Sequence, residues 1–240
     1  MAVTLVDREM TLIEHLEELR TRLIRVLAAV AAGTVIVWSW SGEFLSFMAR
    51  PVGGLVFLAP TEAFLTRFRV AMFGGFLLAL PIVLYEAWAF TACALGERLR
   101  RSIALVLPAS YLLFVTGVLL AVFWVVPSAT HFLLAYGSDD VRPLLSAGAY
   151  MEFVETLGLA FGAVFQLPLV LLLLNRLGIV QREALAGKRR VAYFLGFVLA
   201  AVMTPGPDVI SQLSLAVPIA LLFELSLLLM RWSETADPVA

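Results

Sequence analysis

The sequence predicts an all-α, polytopic membrane protein with six transmembrane helices and both termini in the cytoplasm. Three observations carry that reading. Of the 240 residues, 62% are hydrophobic and only 15% are charged, and the mean hydropathy is +0.97; no ordinary soluble domain is so apolar. The apolar residues fall in long unbroken runs, not in the alternating segments of about ten residues that build a β-barrel. The basic residues gather on one side of those runs.

Residues 1–240 read as a single membrane domain with spans at about 23–40, 70–90, 103–126, 153–174, 191–203 and 209–230. A helix needs about 20 residues to cross a hydrocarbon core of about 30 Å. The first run resembles a signal peptide, but its uncharged stretch 26–42 is long and no A-x-A-like cleavage site follows, so it is expected to be retained. The third run is too long for one span, and Pro127 is expected to stop it. The fifth covers only about 20 Å, so spans five and six are expected to form a stubby hairpin whose loop lies below the membrane surface. Segments 42–69 and 127–151 are too long for simple turns, and "VGGLVFLAPTEAFLTRF" is expected to hold a short helix at the outer surface.

Orientation follows from the basic residues. Arg8, Arg20, Arg22, Arg25, Arg98, Arg100, Arg101, Arg176, Arg182, Lys188, Arg189, Arg190 and Arg231 make thirteen on one side. Arg50, Arg67, Arg69 and Arg142 make four on the other. The richer side is the cytoplasm.

Several function classes are excluded. The single cysteine, Cys93, rules out an intrachain disulfide, and no cysteine or histidine cluster has metal-ligand spacing. The two histidines, His15 and His131, lie outside the deep apolar runs, where a membrane cytochrome would need its axial ligands. The nearest string to a phosphate-binding loop, "LAGKRR", has Arg182 where the first glycine belongs and Arg189 where Ser or Thr belongs. There is no H-E-x-x-H and no Ser–His pairing within spans. No enzymatic activity, cofactor, metal or nucleic-acid partner is expected.

The segment "MTLIEHLEELRTRL" carries five charges and one histidine immediately before the first span. Thr11 and Glu14 fit a capping box, so a helix can start at Thr11. Leu12, Leu16, Leu19 and Leu23 form one stripe, and Glu14, Glu18, Arg22 and Arg25 line another face, as in an interfacial helix running into span one. Glu18 and Arg22 make an i,i+4 pair that stabilises a helix by about 0.2–0.5 kcal/mol. The segment is either a solvated helix end or a carboxylate surface for a cationic partner, and local physics leaves both open.

Polar residues inside spans are candidates for function, because a carboxylate at mid-bilayer costs about 2.5–3.5 kcal/mol. Gln166 lies in "FGAVFQLPLV" and Glu224 in span six; Glu86 and Glu155 lie nearer the interfaces and read as helix-to-helix hydrogen bonding. "GLAFG" (Gly158, Gly162) reads as close helix packing. "TPGPD" marks the turn between spans five and six. There Thr204 or Asp208 caps the next helix, or Gln166, Thr204 and Gln212 share a polar recess.

These strings resemble the TatC family, the multispanning core of the twin-arginine protein translocase, over nearly the whole chain. The resemblance rests on "HLEELRTRL", "ARP", "PIVLYEAWAF", "FGAVFQLP", "TPGPDVISQ" and "PIALLFE", in that order. It implies a receptor in the inner (cytoplasmic) membrane that binds twin-arginine signal peptides of folded cargo. It further implies assembly with TatA-type and TatB-type single-span subunits, a homo-oligomeric receptor complex and use of the proton-motive force. Carried over residue by residue, it places Glu18, Arg20, Arg22 and Phe90 in signal-peptide recognition, with Glu97 nearby. It places Gln166, Thr204 and Gln212 in an intramembrane polar cluster for partner helices, to which Glu224 is added as a further intramembrane polar group, and Pro51 and Asp208 on the outer face.

Three departures stand out. Where the family carries a proline and, six residues on, a glutamate, this chain has Cys93 and Leu99, with Glu97 two residues early. Gly206 is inserted between the two prolines of the turn. The alternative reading is a secondary transporter of a small solute, which six spans with Gln166 and Glu224 would permit; such folds usually carry internal repeats, and none is visible between the halves.

Overall fold

The computed structural model of the chain describes residues 12–52, 54–95, 97–135, 144–203 and 209–236. Among them the chain is helical, with a single isolated parallel bridge between Val56 and Ser146. Helix α1 spans Leu12–Trp38, α2 Ser41–Ala49 with a 3-10 turn Arg50–Val52 after it, and α3 Pro60–Leu95. Helix α4, Glu97–Leu120, passes through a π-helical turn, Ala121–Val125, into α5, Val126–Leu134. Then come α6 Ala147–Val164, α7 Leu167–Arg176, α8 Arg182–Gly187, α9 Arg189–Met203 and α10 Val209–Ala236. Among the described residues five stretches are long and apolar enough to cross a membrane: Ile13–Trp38, Pro60–Thr91, Val106–Leu134, Ala147–Arg176 and Val209–Trp232. Helix α9 has 15 residues and reaches only about 22 Å.

The chain forms two compact units. The first comprises Met1–Ser39 and Ala71–Tyr111. In it α1 lies antiparallel on α3, and glycine sets the spacing. A Cβ on Gly33 would stand 2.5 Å from the Gly75 carbonyl oxygen, and one on Gly75 would stand 2.3 Å from the Thr34 nitrogen. The two backbones are therefore in direct contact, the packing that small residues allow between membrane helices. Between α3 and α4 the buried Trp88 indole donates to the Ser110 hydroxyl at 3.0 Å, which satisfies a polar group in an apolar setting.

The second unit comprises Trp40–Val70 and Leu112–Ala240. Its core centres on α6, whose Met151, Val154, Leu157 and Phe161 are fully buried. A Cβ on Gly117 would meet the Phe161 backbone oxygen at 2.6 Å, and one on Gly162 would meet the Phe114 ring at 2.5 Å; Gly162 of the "GLAFG" segment is thus a close-packing position. Gly196 of α9 lies against Ile219 of α10 in the same manner. At one end, the Glu62 carboxylate gathers the segments before α3 and α6. It accepts from the Ser146 hydroxyl, from the Gly148 N–H at 2.8 Å and from the Leu58 N–H at 2.6 Å. The Val56 N–H donates to Leu145, and the Ala147 N–H donates to Val56.

Two expectations are corrected. Pro127 does not stop the third apolar run, which stays helical to Leu134. Proline has no N–H for the preceding turn and crowds its carbonyl, but the π turn immediately before it, where the Val126 N–H donates to Ala121, widens the helix there and absorbs the mismatch. The short helix expected within "VGGLVFLAPTEAFLTRF" is not separate: the helical part of that string, from Pro60, is the first turns of α3. The short helix is α2, upstream of it. A further break, at Phe165–Gln166 between α6 and α7, divides what reads in sequence as one run. Pro168 lies in the first turn of α7 and cannot donate back to Val164.

Candidate functional site

The site assembles in the first unit, where the start of α1 meets the end of α3. Leucine and arginine, both good helix formers, carry α1 unbroken from the charged segment into the apolar one. The i,i+4 spacing sets Glu18 and Arg22 on one face. The Arg22 guanidinium divides its two terminal amines between two carboxylates, Glu18 at 2.5 Å on its own helix and Glu86 at 2.7 Å on α3. Arg25, one turn on, reaches Glu86 at 3.4 Å. The Glu86 side chain is 7% exposed, Arg22 15% and Glu18 30%, so of the two carboxylates only Glu18 presents an edge to an incoming group. One turn earlier, the His15 ring stacks on Phe90 with centroids 4.4 Å apart. Two segments about seventy residues apart in sequence thus form one surface, with charge from α1 and an aromatic from α3.

Of the residues that the sequence singles out for recognition, Glu18, Arg22 and Phe90 meet here; Arg20 is exposed on the opposite side of the same turns. Glu97 lies in the first turn of α4, one residue beyond the junction with α3, and its side chain falls outside the described residues, as does that of Pro51. The sequence points to Glu86 only as a group joining helices; that it takes two arginines from α1 is visible only in the fold. The partnership of His15 with Phe90 has no local signal in sequence.

The other polar candidates lie in the second unit. Gln166 is half-buried at the break between α6 and α7, and Gln212 is half-buried in the first turn of α10. Thr204 and Asp208 lie outside the described residues. Glu224 bonds to α9: Arg189 donates to it at 2.8 Å and Tyr193 at 2.5 Å, a clamp across the last two helices. Glu155 keeps one buried carboxylate oxygen without a hydrogen-bond partner. Among the described residues no group of three or more His, Cys, Asp or Glu has a metal-binding arrangement.

Comparison with known proteins gives one consistent result. A family model described as Sec-independent protein translocase protein (TatC) matches residues 14–218. A protein of that name from Carboxydothermus hydrogenoformans is 40% identical over 235 residues, 96% of this chain and 97% of its own. One from Aquifex aeolicus is 36% identical over 228 residues, 92% and 94% of the two chains. A crystal structure described as the twin arginine translocase receptor TatC superposes with a TM-score of 0.79 at 35% identity, over 91% of this chain and 99% of that one. The family model covers most of the chain, the relatives cover more than nine-tenths of it, and the chain belongs to the TatC family of Sec-independent protein translocase proteins.

Proposed function

We propose that this chain is the receptor core of a twin-arginine translocase in the inner membrane, with six spans and both termini cytoplasmic. It binds the twin-arginine signal peptides of folded cargo and assembles, as a homo-oligomer, with TatA-type and TatB-type single-span subunits for export driven by the proton-motive force. The observation that carries the reading is the position of Glu18. It is a partly exposed carboxylate on a rigid helix, oriented by Arg22, beside the aromatic pair His15–Phe90. A peptide guanidinium pairs best with such a pre-set carboxylate through charge-assisted, two-point hydrogen bonds. Arg22 orients Glu18, Arg20 is the second arginine of the matching motif, and Glu97, at the start of α4, supplies the second acceptor in place of the family glutamate. Gln166, Gln212 and Thr204, with Glu224, form the polar positions offered to partner helices, and Pro51 and Asp208 shape the outer face. A break in the helix at Gln166 supports this reading, because freed backbone groups within a span need polar partners. Solute transport is not favoured by any feature of the fold.

Photocrosslinking from positions 18 and 97 to a twin-arginine signal peptide, with a twin-lysine peptide as control, tests the proposal. Crosslinks from both positions that the control lacks are expected. Crosslinks from position 18 alone would confine recognition to α1. Crosslinks from neither would leave the charges of α1 as a solvated helix end, and a Glu18→Lys variant that still docked the peptide would overturn the assignment directly.

A further inference from the structure

We infer that Glu86 is a positioning residue for recognition: it holds Arg22 so that Glu18 can be handed to an incoming guanidinium. The inference rests on the signal-peptide reading above and assigns the counter-charge that makes the exchange possible. Glu18 is not a free carboxylate. Arg22 already occupies it at 2.5 Å, so any cationic ligand competes with a group of this chain for the same oxygens.

Arg22 is well buried, 15% exposed, and its Nε has no hydrogen-bond partner. A guanidinium in that setting cannot surrender its only counter-charge without a large penalty, because an unpaired buried charge is strongly unfavourable. Here it need not do so. Its second amine is held by Glu86 at 2.7 Å, from the neighbouring helix. When a ligand takes Glu18, Arg22 keeps Glu86 and stays neutralised. Glu86 itself, 7% exposed, lies too deep to receive the ligand and acts only through Arg22. Arg25, 58% exposed and at 3.4 Å from Glu86, is solvated and adds little to this exchange.

The test is a double-mutant cycle on the full-length chain in lipid nanodiscs, read as the Kd of a fluorescent twin-arginine signal peptide by anisotropy, with a twin-lysine peptide in parallel. In the wild-type background Glu86→Gln is expected to raise the Kd by about tenfold or more, since Arg22 then depends on Glu18 alone. In the Arg22→Gln background the same change is expected to alter it by less than about twofold, because no guanidinium remains to be stranded. Glu86→Asp, which restores the charge, is expected to recover most of the lost affinity. Equal losses in both backgrounds, or no loss in the first, would overturn the inference. The double variant leaves no buried guanidinium without a counter-charge, so a folding defect confined to Glu86→Gln would not hide the result; a double variant as impaired as the single one would count against the relay. Failure of the wild-type chain to prefer twin arginine over twin lysine would instead bring down the recognition reading itself.

Discussion

The contact between Gly33 and Gly75 sets the spacing of α1 on α3 in the first unit. Gly75→Ala tests it. The added Cβ would lie 2.3 Å from the Thr34 nitrogen and 2.6 Å from its Cα. Heavy atoms in ordinary contact stand about 3.5 Å apart, so α1 must retreat by about 1.2 Å. Both neighbours are backbone atoms, and no rotamer change relieves them. Overpacking of this kind costs about 1–3 kcal/mol, and alanine returns about 0.5–1 kcal/mol of helix propensity over glycine. The net expectation is a loss of up to about 2.5 kcal/mol. The adjacent Gly74→Ala is the comparison: its Cβ would meet a single side-chain methyl, Val37 Cγ1, at 2.7 Å and no backbone atom, so its loss should be the smaller of the two. A retreating α1 also draws Arg22 from Glu86, so peptide affinity should fall with stability. Thermal unfolding of the full chain in nanodiscs, followed by tryptophan fluorescence, reads the first effect, and peptide anisotropy reads the second. Equal stability of the two alanine variants would show that α1 does not rest on α3 through Gly75.

Two further outcomes follow from single hydrogen-bond centres. Glu62→Gln removes the charged acceptor shared by Ser146, Gly148 and Leu58; it should speed protease cleavage within residues 54–59 and 144–146, while leaving peptide binding at the α1 surface unchanged. Ser110→Ala removes the acceptor of the Trp88 indole and should lower stability by about 0.6–1.7 kcal/mol, the range of side-chain hydrogen bonds between membrane helices. A shift in Trp88 emission would report the loss of that bond, and Ser110→Thr should restore it.

Much of this protein was legible in its sequence, because the relevant forces act locally or through periodicity. Long apolar runs mark the membrane-crossing stretches: the sequence reads six, and five of them are long and apolar enough among the described residues, the exception being the 15-residue α9. The Glu18–Arg22 pair follows from i,i+4 spacing, and the close packing at Gly162 from small residues one turn apart. Short motifs in a fixed order identified the family. Local rules failed where neighbours decide. Pro127 reads as a stop until a π turn accommodates it, and "FGAVFQLPLV" reads as one span until the chain breaks at Gln166. Only the tertiary structure could bring Glu86 to Arg22 and Phe90 to His15, because each pair joins two helices whose register is set elsewhere, by the backbone contact of Gly33 with Gly75. Sequence alone therefore determined which residues carry charge and on which helix face they stand. The fold decided which carboxylate is buried beneath an arginine and which is left partly open, because burial and pairing belong to the packing of α1 on α3 and to neither helix by itself.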